Sequence, residues 1–368
     1  MALKKVSVTV MLLIVIQCLS IPVSAAGTRA GPDAVLIDIE SIDHMVNRTM
    51  KKSGVPGMAV MIVHGDRTYT LNYGFSDMES RSEVGAGTLF ELGSLSKSFT
   101  ALAILDLEQK GLLKTDDPVT DYIPWFKPVY SGTYNNRAVD DATDISISHL
   151  LHHTSGLPAN AVAFMESGES DGALEETVRQ FSGTALTSYP SEKFVYSSLN
   201  YDILGFIIQT VSGQSYEEYI RGEILSPLGL NNTYLSQSDA NSTGNLAKGY
   251  KRVLLKARLY NAPRFRGNTP AGYIISGQND MEAWLRLQMG LLPAAGDMPR
   301  LIDKSHDPDT TVSSENSAFY AAGWQVGVNR ERIWHSGSTP NYSSMMIVQP
   351  DDEIGVCVLA NMNSNAAE

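Results

Sequence analysis

The chain has 368 residues, 43% of them hydrophobic, which is enough for one large domain or two small ones with a sizeable core. A formal net charge of −12 argues against nucleic acid or an anionic membrane surface as the main partner. Acidity says little more, because a solvated acidic surface is its usual meaning.

Residues 1–26 read as a secretory signal. Lys4 and Lys5 form the charged start, and Val6 to Ile16 is an apolar run interrupted only by Ser7 and Thr9. Val23-Ser24-Ala25 offers a small-residue cleavage site. A retained anchor is the competing reading, and the shortness of the apolar run opposes it. Cys18 follows a bulky Gln17, which argues against lipidation. The mature chain then keeps Cys357 alone, so no intrachain disulfide forms. No later segment reaches the ~18 apolar residues needed to span a bilayer.

Asp38 to Ser53 reads as an amphipathic helix with Ile39, Ile42, Val46 and Met50 on one face, stopped by Gly54 and Pro56. Met58 to His64 is an apolar strand, and Thr68 to Tyr73 returns after a Gly65-Asp66 turn. The stretch from Phe90 to Thr100 holds Ser94 and Lys97 in a Ser-x-x-Lys pattern and leads into a helix through Leu102, Leu105 and Leu107, with Gly111 as its stop. Ser94 then starts the helix and Lys97 lies one turn later on the same face. A serine hydroxyl needs a base to take its proton, and desolvation favours a neutral amine that can do so. A helix N-terminus adds free N–H groups where an oxyanion forms. The pattern is common by chance, and an ordinary helix start with a surface lysine is its bland reading.

Residues 129 to 249 show few strand patterns. Ile147 to Leu151 starts a helix that leads into His152 and His153, Tyr201 to Val211 is a strongly apolar helix closed by Gly213, and Tyr216 to Leu225 is another. From Ala271 a helix (Met281 to Met289) is followed by strands at Gly323 to Val328, Arg332 to His335, Ser343 to Val348 and Gly355 to Ala360, with Asp351-Asp352 at the last hairpin tip. The expected architecture is α/β (α+β): an antiparallel sheet flanked by helices, formed by residues 27–128 and 250–368, with an inserted all-helical lobe at 129–249. The cleft between the lobes is the expected site.

Two further motifs carry chemistry. Tyr196-Ser197-Ser198 precedes the apolar helix, and His335-Ser336-Gly337 lies on a predicted strand. With Ser94-x-x-Lys97 they resemble, in order and spacing, the three motifs of serine β-lactamases and penicillin-binding proteins of the class C-like branch. Supporting phrases are Thr88 to Gly93, His149 to Pro158 and Ser226 to Leu230. The resemblance implies Ser94 as nucleophile, Lys97 as the group that shares or accepts its proton, and Tyr196 as phenolate or proton relay to the leaving amine. Lys97 and a protonated His335 would favour the phenolate. Backbone N–H groups of Ser94 and Ser338 would form the oxyanion hole, with Gly337 allowing close approach. Taken singly, Tyr196 reads as a packing aromatic and His335 as a satisfied strand histidine. Adjacent His152 and His153 point apart and cannot chelate, so no metal and no cofactor are expected.

Serine at position 198, where asparagine is usual, with Asn200-Tyr201-Asp202 after it, resembles the peptidases that activate nonribosomal peptide prodrugs of the colibactin and zwittermicin type. Pro270 to Ile274, Pro340 to Ser344 and Leu359 to Asn365 extend the likeness through both lobes. It implies removal of an N-acyl-D-asparagine leader from an N-acylated peptide, in the periplasm or on the outer face of the cytoplasmic membrane. It also implies a natural chain that continues into a packing helix and membrane segments. Ser198, Asn268 and Thr339 are the expected contacts to the D-asparagine side chain, with Asn341 and Glu91 as weaker candidates. A D,D-peptidase, a β-lactamase, an esterase or a non-catalytic peptidoglycan-binding module on the same fold are the rival readings.

Overall fold

A computed structural model describes residues 37–159, 161, 168–254, 256–263, 265–314, 318–364 and 366–367. The expected secretory leader lies outside the described residues. Helix α1 (Ile39–Ser53) is capped by Asp38, whose carboxylate accepts from the Ser41 N–H at 3.1 Å, and ends on Gly54 in the left-handed region. Strands β1 (Gly57–His64) and β2 (Arg67–Asp77) form the expected hairpin, extended by β3 (Ser82–Glu83). Strand β4 (Leu89–Glu91) leads through a 3₁₀ turn (Gly93–Leu95) into α2 (Ser96–Gln109).

Next come β5 (Val129–Tyr134) and β6 (Arg137–Ala142), a hairpin inside the stretch 129–249 expected to be all-helical, so that expectation is corrected. Asn135 and Asn136 both take positive φ, 49° and 61°, as a tight two-residue turn requires. The helical part follows: α3 (Ile147–Leu151), α4 (Ala173–Arg179), α5 (Ser198–Ser212), α6 (Tyr216–Tyr219) continuing as a π-helical stretch to Leu225, and α7 (Gln237–Ser242). The chain then makes the ribbon β7 (Tyr250–Val253) and β8 (Lys256–Leu259), helix α8 (Thr269–Gly272), β9 (Ile275–Gly277), α9 (Gln278–Gln288) and α10 (Met298–Ser305). It ends in β10 (Phe319–Tyr320), β11 (Gln325–Val326), β12 (Ile333–Ser338), β13 (Ser343–Gln349) and β14 (Ile354–Ala360). The predicted strand at Gly323 to Val328 is shorter than expected, because Asn329 and Arg330 turn the chain with positive φ.

Eight of these strands form one sheet in the order β10-β11-β12-β13-β14-β1-β2-β3, antiparallel throughout. Alternation along β1 sends Ala59, Met61 and Val63 to one face and Val60 and Ile62 to the other. The second face packs on Ile42 and Val46 of α1. The first face belongs to a core that continues into α2 and α5. Helix α2 is buried from Ser96 to Leu107 and packs on α5, α8 and α10. Phe99 stacks on Trp284 with ring centroids 4.0 Å apart, a pairing that contributes on the order of 1 kcal/mol beyond area burial. A helix apolar on all sides belongs in a molecular interior. Its N-terminus therefore opens between the sheet and the helical part, where Ser94 sits.

Candidate active site

The turn that carries Ser94 is held against the end of β12. Gly93 takes φ +55°, and a Cβ there would lie 2.3 Å from the Ser338 nitrogen. A Cβ on Gly337 would lie 2.0 Å from the Leu92 carbonyl oxygen. The Ser344 hydroxyl donates to that same oxygen at 2.6 Å. Two glycines thus let the turn and the strand touch backbone to backbone. Ser94 is half-buried and Ser338 exposed, so solvent reaches this junction.

Lys97 is fully buried. Its ammonium donates to Ser94 Oγ at 3.1 Å, to Ser198 Oγ at 3.3 Å and to the Ala271 carbonyl at 2.7 Å. These contacts use the three donors of an ammonium. The aromatic faces of Tyr196 and Tyr201 lie 5.0 and 5.6 Å from Nζ, and such rings favour a nearby cation. Ser197, in extended conformation, ends the incoming strand-like segment, and Ser198 opens α5. That boundary carries Tyr196 and Ser198 to Lys97 together.

Tyr196 packs on His153, with ring centroids 4.4 Å apart. His153 is fully buried, and its Nδ1 accepts from Asn200 Nδ2 at 2.7 Å and from the Ser197 N–H at 3.3 Å. Asn200 Oδ1 in turn accepts from the Ser155 hydroxyl at 2.7 Å. Burial, reinforced by the Lys97 charge, holds His153 well below the ordinary histidine range, so it is a neutral support for the tyrosine. As expected, the neighbouring histidines part company: His152 Nδ1 turns instead to the Ser148 carbonyl at 2.9 Å.

His335 corrects one expectation. Its Nε2 accepts from the Tyr320 hydroxyl at 2.9 Å, and Nδ1–H donates to the Ser336 carbonyl at 2.6 Å. Burial first, then the Lys97 charge, bring its pKa down to about 3. It is therefore neutral near pH 7 and supplies no second cation to Tyr196, whose ring centroid lies 6.0 Å away.

Asp202, named in the sequence only as the end of the Asn200-Tyr201-Asp202 phrase, takes its part from its surroundings. It lies one turn after Ser198 on the same face of α5 and is fully buried. Its Oδ2 accepts from Asn268 Nδ2 at 2.9 Å, while Oδ1 has no hydrogen-bond partner among the described residues. Burial pushes its pKa up to about 7, against the pull of Asn268, Lys97 and the Ala271 N–H. The backbone of Ala271 thus lies beside both groups, its carbonyl accepting from Lys97 and its N–H turned toward Asp202.

The expected substrate contacts are more scattered. Ser198 is on Lys97. Asn268 is buried behind it on Asp202. Thr339 is buried, and its hydroxyl oxygen accepts from the Tyr342 N–H at 3.1 Å within the turn after β12. Asn341 donates to the Tyr260 carbonyl at 3.2 Å and lines a cavity of about 190 Å³ with Gln237, Lys248 and Tyr260. Glu91 accepts from Gln237 at 3.3 Å and lines a smaller cavity of about 30 Å³ with Phe265 and Tyr273. Ser94, Lys97, Tyr196 and Ser198 thus converge, with Gly337 and Ser338 beside them. Among the described residues no group of three or more His, Cys, Asp or Glu is placed to hold a metal ion.

The arrangement can activate a hydroxyl and stabilise an oxyanion, and comparison with known proteins agrees. The Beta-lactamase family model matches residues 42–368. Protein flp of Staphylococcus aureus is 31% identical over 328 residues, which cover 88% of this chain and 63% of that protein. The chain therefore spans less than two thirds of that relative's length. Unguisins hydrolase ungD' of Aspergillus campestris is 29% identical over 343 residues, covering 86% and 60%. Among solved structures, the octameric penicillin-binding protein homologue from Pyrococcus abyssi aligns with a TM-score of 0.74 and 28% identity over 88% of this chain and 74% of that one. A class C β-lactamase aligns with a TM-score of 0.75 and 23% identity over 92% and 96%, a likeness of fold.

Proposed function

The chain belongs to the β-lactamase family of serine hydrolases, which act on amide and ester bonds, and we propose that it is an exported serine peptidase that removes an N-acyl-D-asparagine leader from a nonribosomal peptide prodrug. One observation carries the chemical part: Lys97 Nζ stands within 3.3 Å of both Ser94 Oγ and Ser198 Oγ, beneath the ring of Tyr196. In this reading Lys97 reacts as the neutral amine and takes the Ser94 hydroxyl proton as Oγ attacks the leader's carbonyl carbon. The N–H groups of Ser94 and Ser338 hold the oxyanion. Lys97 hands that proton on through the Tyr196 hydroxyl to the departing amine, which leaves neutral Lys97 and an ester on Ser94. Water then attacks that ester and frees the acylated D-asparagine.

The substrate part is supported by the likeness of Tyr196-Ser197-Ser198 to prodrug peptidases and by the short side chain at position 198. The name of one relative, an unguisins hydrolase, agrees with hydrolysis of a peptide-derived product. A broad esterase or D,D-peptidase is the second reading. It is favoured by the commitment of Asn268 and Thr339 to internal hydrogen bonds.

Two measurements test the proposal. A fluorophosphonate should add covalently to the wild-type chain and leave Ser94→Ala unmodified by intact mass; an adduct on the variant would remove Ser94 from its role. N-acyl-D-Asn amides should be cleaved at least a hundredfold faster than N-acyl-L-Asn or N-acyl-D-Leu amides, because a pocket built for a carboxamide leaves polar groups unpaired around an apolar side chain. Equal rates, or preference for a chromogenic cephalosporin, would select the second reading.

A further inference from the structure

Among the described residues, strands β7 and β8 pair only with each other, apart from a bridge from Tyr250 to Met362 at the base. Tyr250 and Ala257 pack the ribbon on the body, while other apolar residues face outward: Leu254 at the turn is 93% exposed, Val253 39% and, at the base, Leu259 51%. Behind this tip stand Lys248, Lys251, Arg252, Lys256 and Arg258, all exposed. Residues 248–259 contain five cations and no acid in a chain whose net charge is −12. Lys251 lies over the Tyr260 ring at 3.7 Å. Asp77 and Glu79 face the base, where they act on Tyr250 and Asp77 on Lys248; no salt bridge within 4.0 Å involves Lys251, Arg252, Lys256 or Arg258 among the described residues. The register even sets Lys251 opposite Arg258, and like charges across a ladder destabilise the pair.

Apart from the Lys251–Tyr260 contact, folding gains little from these cations. An apolar tip with exposed cations behind it fits an anionic lipid bilayer, whose headgroup phosphates take the cations while the tip enters the acyl boundary. We propose that the β7–β8 ribbon docks the protein on an anionic membrane surface. The overall negative charge does not oppose this, because screening confines the interaction to about 10 Å around the ribbon. Gly249, Leu259 and Tyr260, at the ribbon's base, also line the 190 Å³ cavity beside Asn341. Docking would set that wall of the cleft at the bilayer. The inference stands independently of the peptidase reading.

The test uses the full chain with Leu254→Trp and vesicles of phosphatidylcholine with 30% phosphatidylglycerol, against vesicles of phosphatidylcholine alone. The introduced tryptophan should shift to the blue and be quenched by brominated acyl chains on the anionic vesicles only, and 0.5 M salt should reverse both effects. Lys251→Glu with Lys256→Glu in the same background should weaken vesicle binding read by that signal at least tenfold, with turnover of a soluble ester unchanged. An unshifted tryptophan on bound protein would assign binding to another segment and overturn the proposal. Concentration-dependent dimerisation that Leu254→Gln abolishes, without a lipid response, would overturn it in favour of a second copy.

Discussion

Lys97 and Asp202 are both sealed from solvent beside the backbone of Ala271, and their contacts set the chemistry at residue scale. Because the Asp202 pKa rises from 3.8 to about 7 on folding, the folded state binds more protons than the unfolded state between those values. Stability is then present at low pH and is lost as pH rises through 7. Asp202→Asn removes this penalty, so the variant should be more stable than wild type at pH 8 and no better at pH 4. Thermal melts at the two pH values check this. Unchanged stability at pH 8 would strip Asp202 of any electrostatic part.

The elements around the site depend on close backbone approach and on neutral histidines. Gly337→Ala places a methyl where the Leu92 carbonyl stands, so β12 must move away from the Ser94 turn. Turnover should fall by about 10²–10³-fold, the cost of misplacing one oxyanion donor. A fluorophosphonate adduct at undiminished rate would place the oxyanion donors elsewhere. His306 on the turn after α10 pairs with Gln288 at 2.9 Å, and burial brings its pKa down to about 4. A folded value below the unfolded one means the unfolded state binds more protons between pH 4 and 6.5, so stability falls on acidification across that window. His306 alone accounts for roughly 3 kcal/mol of that loss. His335 acts in the same direction. His306→Asn should therefore flatten the dependence of Tm on pH between 6.5 and 4; an equally steep curve would remove His306 from the account.

These same elements show what a sequence can and cannot display. Ser94-x-x-Lys97 is legible because one helical turn sets its geometry, and Tyr196 because it stands at a helix start. The turn at Asn135-Asn136 has a local signal, two residues tolerant of positive φ, within a stretch read as helical. The neutrality of His335 was not legible, since its charge depends on Tyr320, Lys97 and burial brought from other elements. The particular contacts of Asp202 and His153, both within stretches the sequence singles out, were not legible for the same reason: each touches a group more than 40 positions away in the chain.

At the scale of the whole molecule, the site lies where two structural parts share one core. Ala59, Met61 and Val63 of the sheet belong to the same buried cluster as Leu150, Ile203 and Ile207 of the helical part. Helix α2 runs through that cluster and carries Lys97 on its first turn. Neither part can lose its packing without exposing apolar surface of the other, so the two should unfold together. Truncating Ile207, fully buried on α5, leaves a cavity that costs about 2–5 kcal/mol. The loss should lower the Tm of one calorimetric transition by several degrees, although the substitution lies entirely within the helical part. Intrinsic fluorescence should follow the same curve, because Trp334 of the sheet and Trp284 beside α2 would be exposed in the same event. Two resolved transitions, with only the first displaced by Ile207→Ala, would mean that the helical part folds by itself. The Ser94–Lys97–Ser198 geometry would then depend on a docking equilibrium instead of a single core.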